Sequence, residues 1–235
     1  MNSQKKIIAI VGQTASGKSR LALDLAREFD GELIAADSRT IYKGMNIGTA
    51  KSQQDEIAEW GIDLVSPDEK FNAFDFKEYA EQKIQDIINR GKLPIVVGGT
   101  GLYIQALIDN FNFEGEQGES EYDALQIAVV WPREELYEQI DSRVDKMIEK
   151  GLVEEVRGLR ERYGCDIKSM TGIGYRQVCE YLDKKIDKEE MIRLIKRDTR
   201  HYAKRQMTWF KRDDRIHWVE SKERARKLVL DHLNT

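Results

Sequence analysis

The segment from Gly12 to Ser19 has the residue types and spacing that suit phosphate binding. It reads Gly12, Gln13, Thr14, Ala15, Ser16, Gly17, Lys18, Ser19, between an apolar stretch and a helical pattern. In this setting backbone N–H groups and a helix N-terminus surround a diphosphate or triphosphate, the lysine adds positive charge, and the serine hydroxyl reaches Mg²⁺. This segment, called the P-loop below, therefore predicts a phosphate site with Mg²⁺ as cofactor. It does not by itself predict ATP hydrolysis.

One carboxylate, that of Asp37, stands at the end of a second apolar strand pattern, Glu32–Ala36. In α/β sheets the carboxyl ends of the strands form the edge that binds ligands, so Asp37 can act as a metal ligand, a hydrogen-bond acceptor or a general base. NTPases normally carry an acid at the end of a neighbouring strand to hold magnesium. Here Leu93–Val97 runs into Gly98, Gly99 and Thr100 without an acid.

The elements that must position these residues alternate between apolar strands and amphipathic helices, which predicts an α/β fold with a parallel sheet. The predicted strands are Lys6–Val11, Glu32–Ala36, Leu93–Val97, Ala124–Val130 and Ile216–Val219. The predicted helices are Ser19–Phe29, Asp75–Arg90, Leu102–Ile108, Arg133–Lys150, Leu152–Arg162, Tyr175–Asp183, Lys188–Lys211 and Lys222–Leu233.

We expect a single domain over residues 1–235. Residues 1–130 are the predicted P-loop core, and residues 131–235 are predicted to be mainly helical and to complete it. The segment Phe111–Asp123 is acidic, contains glycine and lacks an apolar period, so we predict a surface loop there.

The charges are unevenly distributed along the chain. The first 124 residues hold 13 Lys and Arg against 21 Asp and Glu, whereas the remainder holds 25 against 21. Residues 193–215 alone carry nine basic residues against three Asp. Such a run indicates either a phosphate-rich partner or a solvated helix face. The aromatic residues among these charges, Tyr202, Trp209 and Phe210, either stack on bases or face the core.

The composition excludes several classes of protein. With 235 residues, of which 40% are hydrophobic and 34% charged, the chain can bury a large core, so intrinsic disorder is not expected. Mean hydropathy is −0.60, and no apolar run approaches the roughly 18 residues needed to span a bilayer. We therefore expect a cytoplasmic protein without a signal peptide or membrane partner. Cys165 and Cys179 lack a metal-binding motif and are too few for a disulfide framework, so we predict ordinary thiols.

Further motifs give the chain a resemblance to a known family. After the P-loop come Asp37-Ser38 with Tyr42, KGMNIGTAK (Lys43–Lys51), VGGT (Val97–Thr100), IDSRVDKMIEKGLVEEV (Ile140–Val156), GIGYRQ (Gly172–Gln177) and KRQMTWF (Lys204–Phe210). In this order they resemble the signatures of the tRNA dimethylallyltransferases over nearly the whole chain. The resemblance implies a P-loop NTPase-like three-layer fold with a parallel sheet and a C-terminal helical region.

The resemblance also implies a reaction. A dimethylallyl group would pass from its diphosphate to the exocyclic amino group of the adenosine next to the anticodon in tRNA, with release of diphosphate. The P-loop would hold the diphosphate, with Lys18 and Mg²⁺ on Ser19 neutralising it. Asp37 would accept the proton, Thr100 would help to place the leaving group or the base, and Arg143 would contact the departing diphosphate.

A tRNA-binding face follows from the same resemblance. Its implied members are Asp37, Ser38, Arg39, Thr40, Thr171, Gly174, Tyr175, Arg176, Lys204 and Arg205. The implied partners are the anticodon stem-loop of tRNA and dimethylallyl diphosphate, and we expect the protein to act as a monomer.

Three features differ from the family pattern. Typical members carry a helical insertion of several dozen residues that grips the anticodon stem, and here only Phe111–Asp123 stands in its place. Thr40 occupies a position that is usually glutamine, and Trp60–Asp63 replaces a segment that usually contains paired histidines. This chain is therefore predicted to be a short member of the family.

The short insertion leaves other readings open. One alternative is an adenylate dimethylallyltransferase, which uses the same P-loop and aspartate on a free nucleotide. A P-loop small-molecule kinase is a second, and the missing acid after Leu93–Val97 argues against it. A third is an RNA-binding protein without activity, against which the intact P-loop, Asp37 and Arg143 argue. The basic helix and the KRQMTWF motif favour tRNA as the acceptor.

Overall fold

Within the residues that the structure describes, 4–51, 56–111 and 120–235, six parallel strands form one sheet. The structure is a computed structural model. The strands are β1 Lys5–Val11, β2 Gly31–Ala36, β3 Glu59–Trp60, β4 Leu93–Gly98, β5 Tyr122–Val129 and β6 Ile216–Val219, and their order is β3-β2-β4-β1-β5-β6. The helices are α1 Lys18–Glu28, α2 Ala73–Asn89, α3 Gly101–Ile108, α4 Arg133–Glu149, α5 Leu152–Tyr163, α6 Tyr175–Leu182, α7 Lys188–Phe210 and α8 Lys222–Asn234. A 3₁₀ helix covers Lys168–Thr171.

Helices cover both faces of the sheet, which confirms the predicted three-layer α/β class. The side chains of α1 and α8 pack on one face, and those of α2 and α3 pack on the other together with Phe210. Strands that are covered on both sides read as continuous apolar runs rather than as alternating ones, as β1 and β2 do.

The remaining helices pack at the carboxyl edge of the sheet. An apolar cluster joins α4, α5, α6 and α7 to the segment after β2, with Tyr42 and Met45 buried among them. Because β1, β2 and β4 are neighbours and run in parallel, the P-loop, Asp37 and Thr100 all follow strands at this edge. The C-terminal helices therefore cover the place where the candidate chemistry lies.

The predicted elements agree with the structure to within about two residues at their ends. The predicted loop Phe111–Asp123 falls mostly on residues 112–119, which lie outside the described residues, and its last two residues belong to β5. Sequence reasoning missed β3 and the 3₁₀ helix, because elements of two and four residues carry no usable period.

Cys165 and Cys179 form a disulfide, so the prediction of two free thiols was wrong. Their Cα atoms are 6.2 Å apart across 14 residues of chain. The bridge joins the segment after α5 to α6 and closes a loop that contains the 3₁₀ helix. Two cysteines without a motif give no signal for pairing, because only the turn between the two helices brings their Cβ atoms together.

No helix in the described ranges is long and apolar enough to cross a membrane.

Candidate active site

Two glycines let the P-loop wrap between β1 and α1. Gly12 has φ +128° and Gly17 has φ +82°, values that side-chain-bearing residues rarely adopt. The loop is held by its neighbours: the indole N–H of Trp131 donates to the Ser16 carbonyl at 2.9 Å, and Lys18 Nζ donates to the Gln13 carbonyl at 3.0 Å. These hydrogen bonds fix the shape of the loop.

Helix α7 is hydrogen-bonded directly to the P-loop. Buried Gln206 accepts from the Thr14 N–H at 2.7 Å and donates to the Gly99 carbonyl at 2.9 Å. Gln13 donates in turn to the Ala203 carbonyl at 3.0 Å. The family resemblance implies that Lys204 and Arg205 contact tRNA. The next residue, Gln206, instead holds α7 against the P-loop through its hydrogen bonds.

The VGGT motif is explained by close packing at the ends of β2 and β4. A Cβ atom at Gly98 would lie 2.1 Å from the Ala36 carbonyl oxygen, and one at Gly99 would lie 2.2 Å from Gln206 Nε2. Contacts below about 3 Å require the surroundings to shift, and a backbone carbonyl in a strand cannot do so cheaply. Both positions therefore need glycine for the strands and α7 to approach this closely.

The Asp37 side chain is held by the backbone N–H of Arg39, and the residue after Asp37 is held by Thr100. The Asp37 Oδ1 atom accepts from the Arg39 N–H at 2.9 Å, and the neighbouring Ser38 N–H donates to Thr100 Oγ1 at 3.0 Å. Thr100 is itself tied to β2, because its N–H donates to the Ala36 carbonyl at 3.2 Å. Among the described residues, Asp37 Oδ2 has no hydrogen-bond donor, so it can accept a proton from a ligand.

Lys18, Asp37 and Arg143 lie within each other's electrostatic field. Burial, reinforced by the positive charge of Arg143, lowers the pKa of Lys18 to about 8, while Asp37 opposes this shift. Burial also lowers the pKa of Arg143, again opposed by Asp37. Burial thus disfavours the charged forms of Lys18 and Arg143, and one carboxylate faces two cations. This excess of positive charge indicates a site that binds a further anion.

Asp37 and Arg143 line a pocket of about 540 Å³, called the main pocket below, and Lys18 lies outside its lining. Nine residues predicted for the site line it: Thr14, Asp37, Ser38, Arg39, Arg143, Thr171, Gly174, Arg176 and Arg205. The volume lies within the range of ligand pockets, roughly 300–1,000 Å³. The structure thus brings together residues that are up to 191 positions apart, from Thr14 to Arg205.

Four of the other predicted residues have surroundings that differ from the prediction. The Thr40 hydroxyl donates to the Asp37 carbonyl at 3.3 Å rather than facing the main pocket. Tyr175 is buried, with its hydroxyl donating to Glu155 at 2.8 Å. Lys204 is exposed beside a separate cleft between α4 and α7. Ser19 is exposed at the start of α1.

Comparisons with known proteins identify the family of this chain. A model of the IPP transferase family matches residues 40–120 and 112–213. The chain belongs to the IPP transferase family. It is 40% identical to tRNA dimethylallyltransferase 2 of Geotalea uraniireducens, covering 93% of each chain, and 34% identical to the tRNA dimethylallyltransferase of Staphylococcus aureus, covering 100% of this chain and 99% of that protein.

Solved structures give the same result. The full-length tRNA isopentenylpyrophosphate transferase of Bacillus halodurans superposes with a TM-score of 0.89 at 32% identity, over 98% of this chain and 95% of that one. A eukaryotic dimethylallyltransferase described as acting on tRNA superposes with a TM-score of 0.82 at 26% identity, over 92% of this chain and 74% of that one. The fold predicted from the resemblance is therefore confirmed.

The comparisons also locate where this IPP transferase is short. The alignment with the S. aureus protein runs over 308 residues, more than the 235 of this chain, so that relative contains residues without a counterpart here. The two matched segments of the family model meet at residues 112–120. This is the region in which the sequence predicts a loop in place of a helical insertion.

The motif at Lys43–Lys51 of this IPP transferase is held by a carboxylate that sequence reasoning missed. Glu155 of α5 accepts hydrogen bonds from the N–H groups of Asn46, Ile47 and Gly48 at 2.8, 2.7 and 3.1 Å. Tyr175 adds a fourth hydrogen bond to the same carboxylate. Since Gly48 and Thr49 line the main pocket, Glu155 shapes one of its walls.

Lys51 fixes the other end of the same motif. Its ammonium group donates to the Tyr42 carbonyl at 2.6 Å, to Asn46 Oδ1 at 3.2 Å and to Asp63 Oδ1 at 2.7 Å. Its side chain is only 5% exposed. Lys51 and Asp63 therefore serve the shape of the loop rather than the chemistry.

A charged rim surrounds the opening of the main pocket on the side of α6 and α7. Asp198 accepts from Arg176 at 2.8 Å and from Arg197 at 2.8 Å, and Gln177 also donates to it at 2.8 Å. Arg39 donates to the Lys168 and Ser169 carbonyls at 3.3 and 3.2 Å.

Several residues that line the main pocket were not among the predicted site residues: Arg197, Asp198 and His201, and also Tyr202, for which stacking on bases or packing in the core was left open. Burial, followed by the charge of Asp37, raises the pKa of Tyr202 to about 12, so its hydroxyl stays protonated. A pocket-facing stripe on α7 with three- and four-residue spacing was the available signal for Asp198, His201, Tyr202 and Arg205. The sequence analysis interpreted the helix by its many basic residues and not by this spacing.

The P-loop has features that fit a magnesium ion. No group of three or more His, Cys, Asp or Glu side chains in the described part of the chain is placed to hold a metal. Mg²⁺ is commonly held by one or two protein oxygens together with substrate phosphates and water. Ser19 offers an exposed hydroxyl at the start of α1 with no hydrogen-bond partner among the described residues, and the buried Ser16 hydroxyl also lacks one.

Proposed function

We propose that this protein transfers a dimethylallyl group from dimethylallyl diphosphate to the exocyclic amino group of the adenosine next to the anticodon in tRNA. The observation that carries the proposal is the placement of Asp37 in the field of Lys18 and Arg143, at the main pocket beside the P-loop. The names of the relatives support both the donor group and the RNA acceptor.

The cationic residues would bind and neutralise the leaving group. The P-loop N–H groups, Lys18 and Arg143 would hold the diphosphate, whose negative charge grows as the bond from the allylic carbon to oxygen breaks. Mg²⁺ held at Ser19 would supply further charge neutralisation to that diphosphate. Thr100, hydrogen-bonded next to Asp37, would keep the base and the leaving group in register.

Asp37 would complete the reaction as the base. An adenine amino group is a poor nucleophile, so attack on the allylic carbon needs a nearby acceptor for the proton that it loses. The free Oδ2 atom of Asp37 can take this proton, while its Oδ1 atom remains fixed by the Arg39 N–H. The nitrogen–carbon bond forms, the carbon–oxygen bond breaks, and diphosphate remains on the P-loop.

The acceptor would enter across the rim formed by Arg39, Thr171, Gly174, Arg176 and Arg205. Guanidinium groups at this opening suit the phosphates on either side of an extruded nucleotide. We expect the protein to act as a monomer in the cytoplasm, where unmodified tRNA is found.

One observation favours a second acceptor. The alignment with the S. aureus protein runs over 308 positions against 235 residues here, and the two matched segments of the family model overlap at residues 112–120, which supports a reduced helical insertion. A chain without the contact surface of that insertion can use free AMP, which enters the same pocket and needs no grip on the anticodon stem. The adenylate dimethylallyltransferase is therefore the alternative.

A transfer assay with an Asp37 variant tests the proposal. Purified protein with labelled dimethylallyl diphosphate, Mg²⁺ and unmodified tRNA is expected to label RNA. Asp37→Asn is expected to lower the rate by about 10²–10⁴-fold, the range typical of a lost general base, without weakening diphosphate binding. Asp231→Asn on exposed α8 is the matched control. Near-normal turnover of Asp37→Asn would refute the base role.

A further inference from the structure

The basic residues of α7 and of the segment after it form two groups: those that pair with a carboxylate and those that do not. Five of the basic residues between 193 and 215 form ion pairs with carboxylates: Arg193, Lys196, Arg197, Arg200 and Arg215. The other four are Lys204, Arg205, Lys211 and Arg212, which have no carboxylate within ion-pair distance among the described residues. Arg205 lies over the Tyr202 ring at 5.7 Å instead. The unpaired cations are therefore concentrated around the end of α7.

Trp209 lies in the middle of these unpaired cations. Its side chain is large and apolar, yet the residue is 39% exposed. The ring packs so closely on the backbone of α3 that a Cβ atom at Gly101 would lie 2.2 Å from the indole Cδ1 and Nε1 atoms. Gly101 directly follows Thr100, whose hydroxyl is hydrogen-bonded to the residue after Asp37. An exposed, rigidly held aromatic ring is thus fixed beside the candidate reaction centre.

A cavity of about 350 Å³ opens next to the Trp209 ring. Ile104 and Ile108 of α3 form apolar lining, and Gln105 and Arg212 are among its polar lining residues. Asp109 and Asp213 also line it, but both pair with Arg215, at 2.7 Å in each case. Because both of these carboxylates pair with Arg215, Arg212 is a cation at the cavity with no ion-pair partner among the described residues.

We propose that Trp209 and this cavity form a nucleobase site for single-stranded RNA. A base adjacent to the acceptor adenosine would stack on the indole ring, and the unpaired Lys211 and Arg212 would contact the neighbouring phosphates. Base stacking on aromatic rings within a cationic surface is the general means of holding single-stranded nucleic acid. The inference rests on the proposed function, because it places a neighbour of the nucleotide that enters the main pocket.

A fluorescence experiment with full-length protein tests this site. The probe is an anticodon stem-loop RNA with 2-aminopurine on the 5′ or the 3′ side of the acceptor adenosine, or in the stem as a control position. With wild-type protein, quenching is expected at one flanking position and not in the stem. Trp209→Phe is expected to keep most of this quenching, and Trp209→Ala to lose it.

Binding constants provide the second readout. Trp209→Ala is expected to weaken stem-loop binding by about 5- to 150-fold, the equivalent of roughly 1–3 kcal/mol for one stacked base. Its Kd for dimethylallyl diphosphate is expected to be unchanged. Lys211→Ala with Arg212→Ala, which removes no ion pair, is expected to make the dependence of log Kd on log salt shallower by about 1.4. Lys227→Ala on α8 is the matched charge control.

The outcomes separate this inference from the proposed function. If wild-type protein labels and binds the stem-loop while Trp209→Ala and the double variant bind it equally well, the nucleobase site is wrong and the proposed function stands. If Trp209→Ala does not fold, the double variant and Trp209→Phe decide the matter, because both keep an aromatic ring at position 209. An unchanged salt dependence in the double variant, together with loss of the quenching in Trp209→Phe, would then show that the nucleobase site is wrong. If wild-type protein neither binds nor labels the stem-loop, both proposals are wrong.

Discussion

The charged form of Lys18 is disfavoured by its surroundings, and this would assist the binding of an anion. Its ammonium group donates to the Gln13 carbonyl, but burial and Arg143 lower its pKa to about 8. A diphosphate beside it would favour the charged form and raise that pKa again. Part of the binding free energy of the donor would therefore come from relief of an unfavourable charge arrangement in the free protein.

This arrangement predicts a pH dependence of donor binding. Lys18 is protonated below pH 8 and loses its charge above it, so affinity for dimethylallyl diphosphate is expected to fall by up to about tenfold per pH unit above 8. Calorimetric titrations between pH 7 and 9.5 measure this. Lys18→Arg keeps its charge at those pH values and is expected to lack the decline. An equal decline in both proteins would show that another group titrates.

Asp37 and the P-loop could be identified from sequence because their spacing carries the information. GxxxxGKS between a strand and a helix, and an acid at the end of the next strand in sequence, need no knowledge of distant contacts. No sequence motif identifies Trp131 or Gln206, because each acts through a hydrogen bond to a loop more than 100 residues away. Long-range contacts of this kind become visible only once the chain is folded.

At the scale of elements, α7 serves three purposes on different faces. Ala203, Gln206 and Phe210 are buried against the P-loop and the sheet, Tyr202 and Arg205 line the main pocket, and Trp209 is exposed. The basic character of the helix indicated either a phosphate-rich partner or a solvated face. The structure shows instead that Arg193, Lys196, Arg197 and Arg200 pair with acids on α4 and on α7 itself, which composition cannot reveal.

Glu155 of α5 holds the loop at residues 46–48, and this role leads to a prediction about stability. Glu155→Ala leaves three N–H groups of Asn46–Gly48 and the Tyr175 hydroxyl without their acceptor. We expect the free energy of unfolding to fall by about 2–3 kcal/mol, since each unsatisfied, partly buried donor is costly. The KM for the acceptor is expected to rise because Gly48 and Thr49 line the main pocket.

Urea denaturation and steady-state kinetics check this prediction. Glu154→Ala changes the neighbouring exposed glutamate and is the matched control. Equal denaturation midpoints for the two variants would show that the carboxylate of Glu155 does not hold the loop.

At the scale of the whole molecule, the sheet positions one set of groups and the C-terminal helices complete the site. The alternation of strands and helices predicted an α/β fold with a parallel sheet, and the family resemblance implied its three layers. It could not predict how α4 to α7 pack against residues 41–45, because that contact depends on apolar side chains from five separate segments. The disulfide between Cys165 and Cys179 was missed for the same reason.

The fold also leaves the choice of acceptor as the central question at this scale. The volume of the main pocket, about 540 Å³, does not distinguish a nucleotide of RNA from a free one, and the two matched segments of the family model overlap at residues 112–120. The unpaired cations Lys204, Arg205, Lys211 and Arg212 lie around the end of α7, and no comparable need for them exists with a free mononucleotide. The charge distribution therefore favours RNA.

A competition assay tests this claim most directly. Purified protein receives labelled dimethylallyl diphosphate and Mg²⁺, with unmodified tRNA and AMP offered together at equal concentrations, and both products are separated and counted. We predict label in RNA, at the adenosine beside the anticodon. Label in AMP with none in RNA would contradict the account and identify a free-nucleotide prenyltransferase, and label in neither product would contradict prenyl transfer itself.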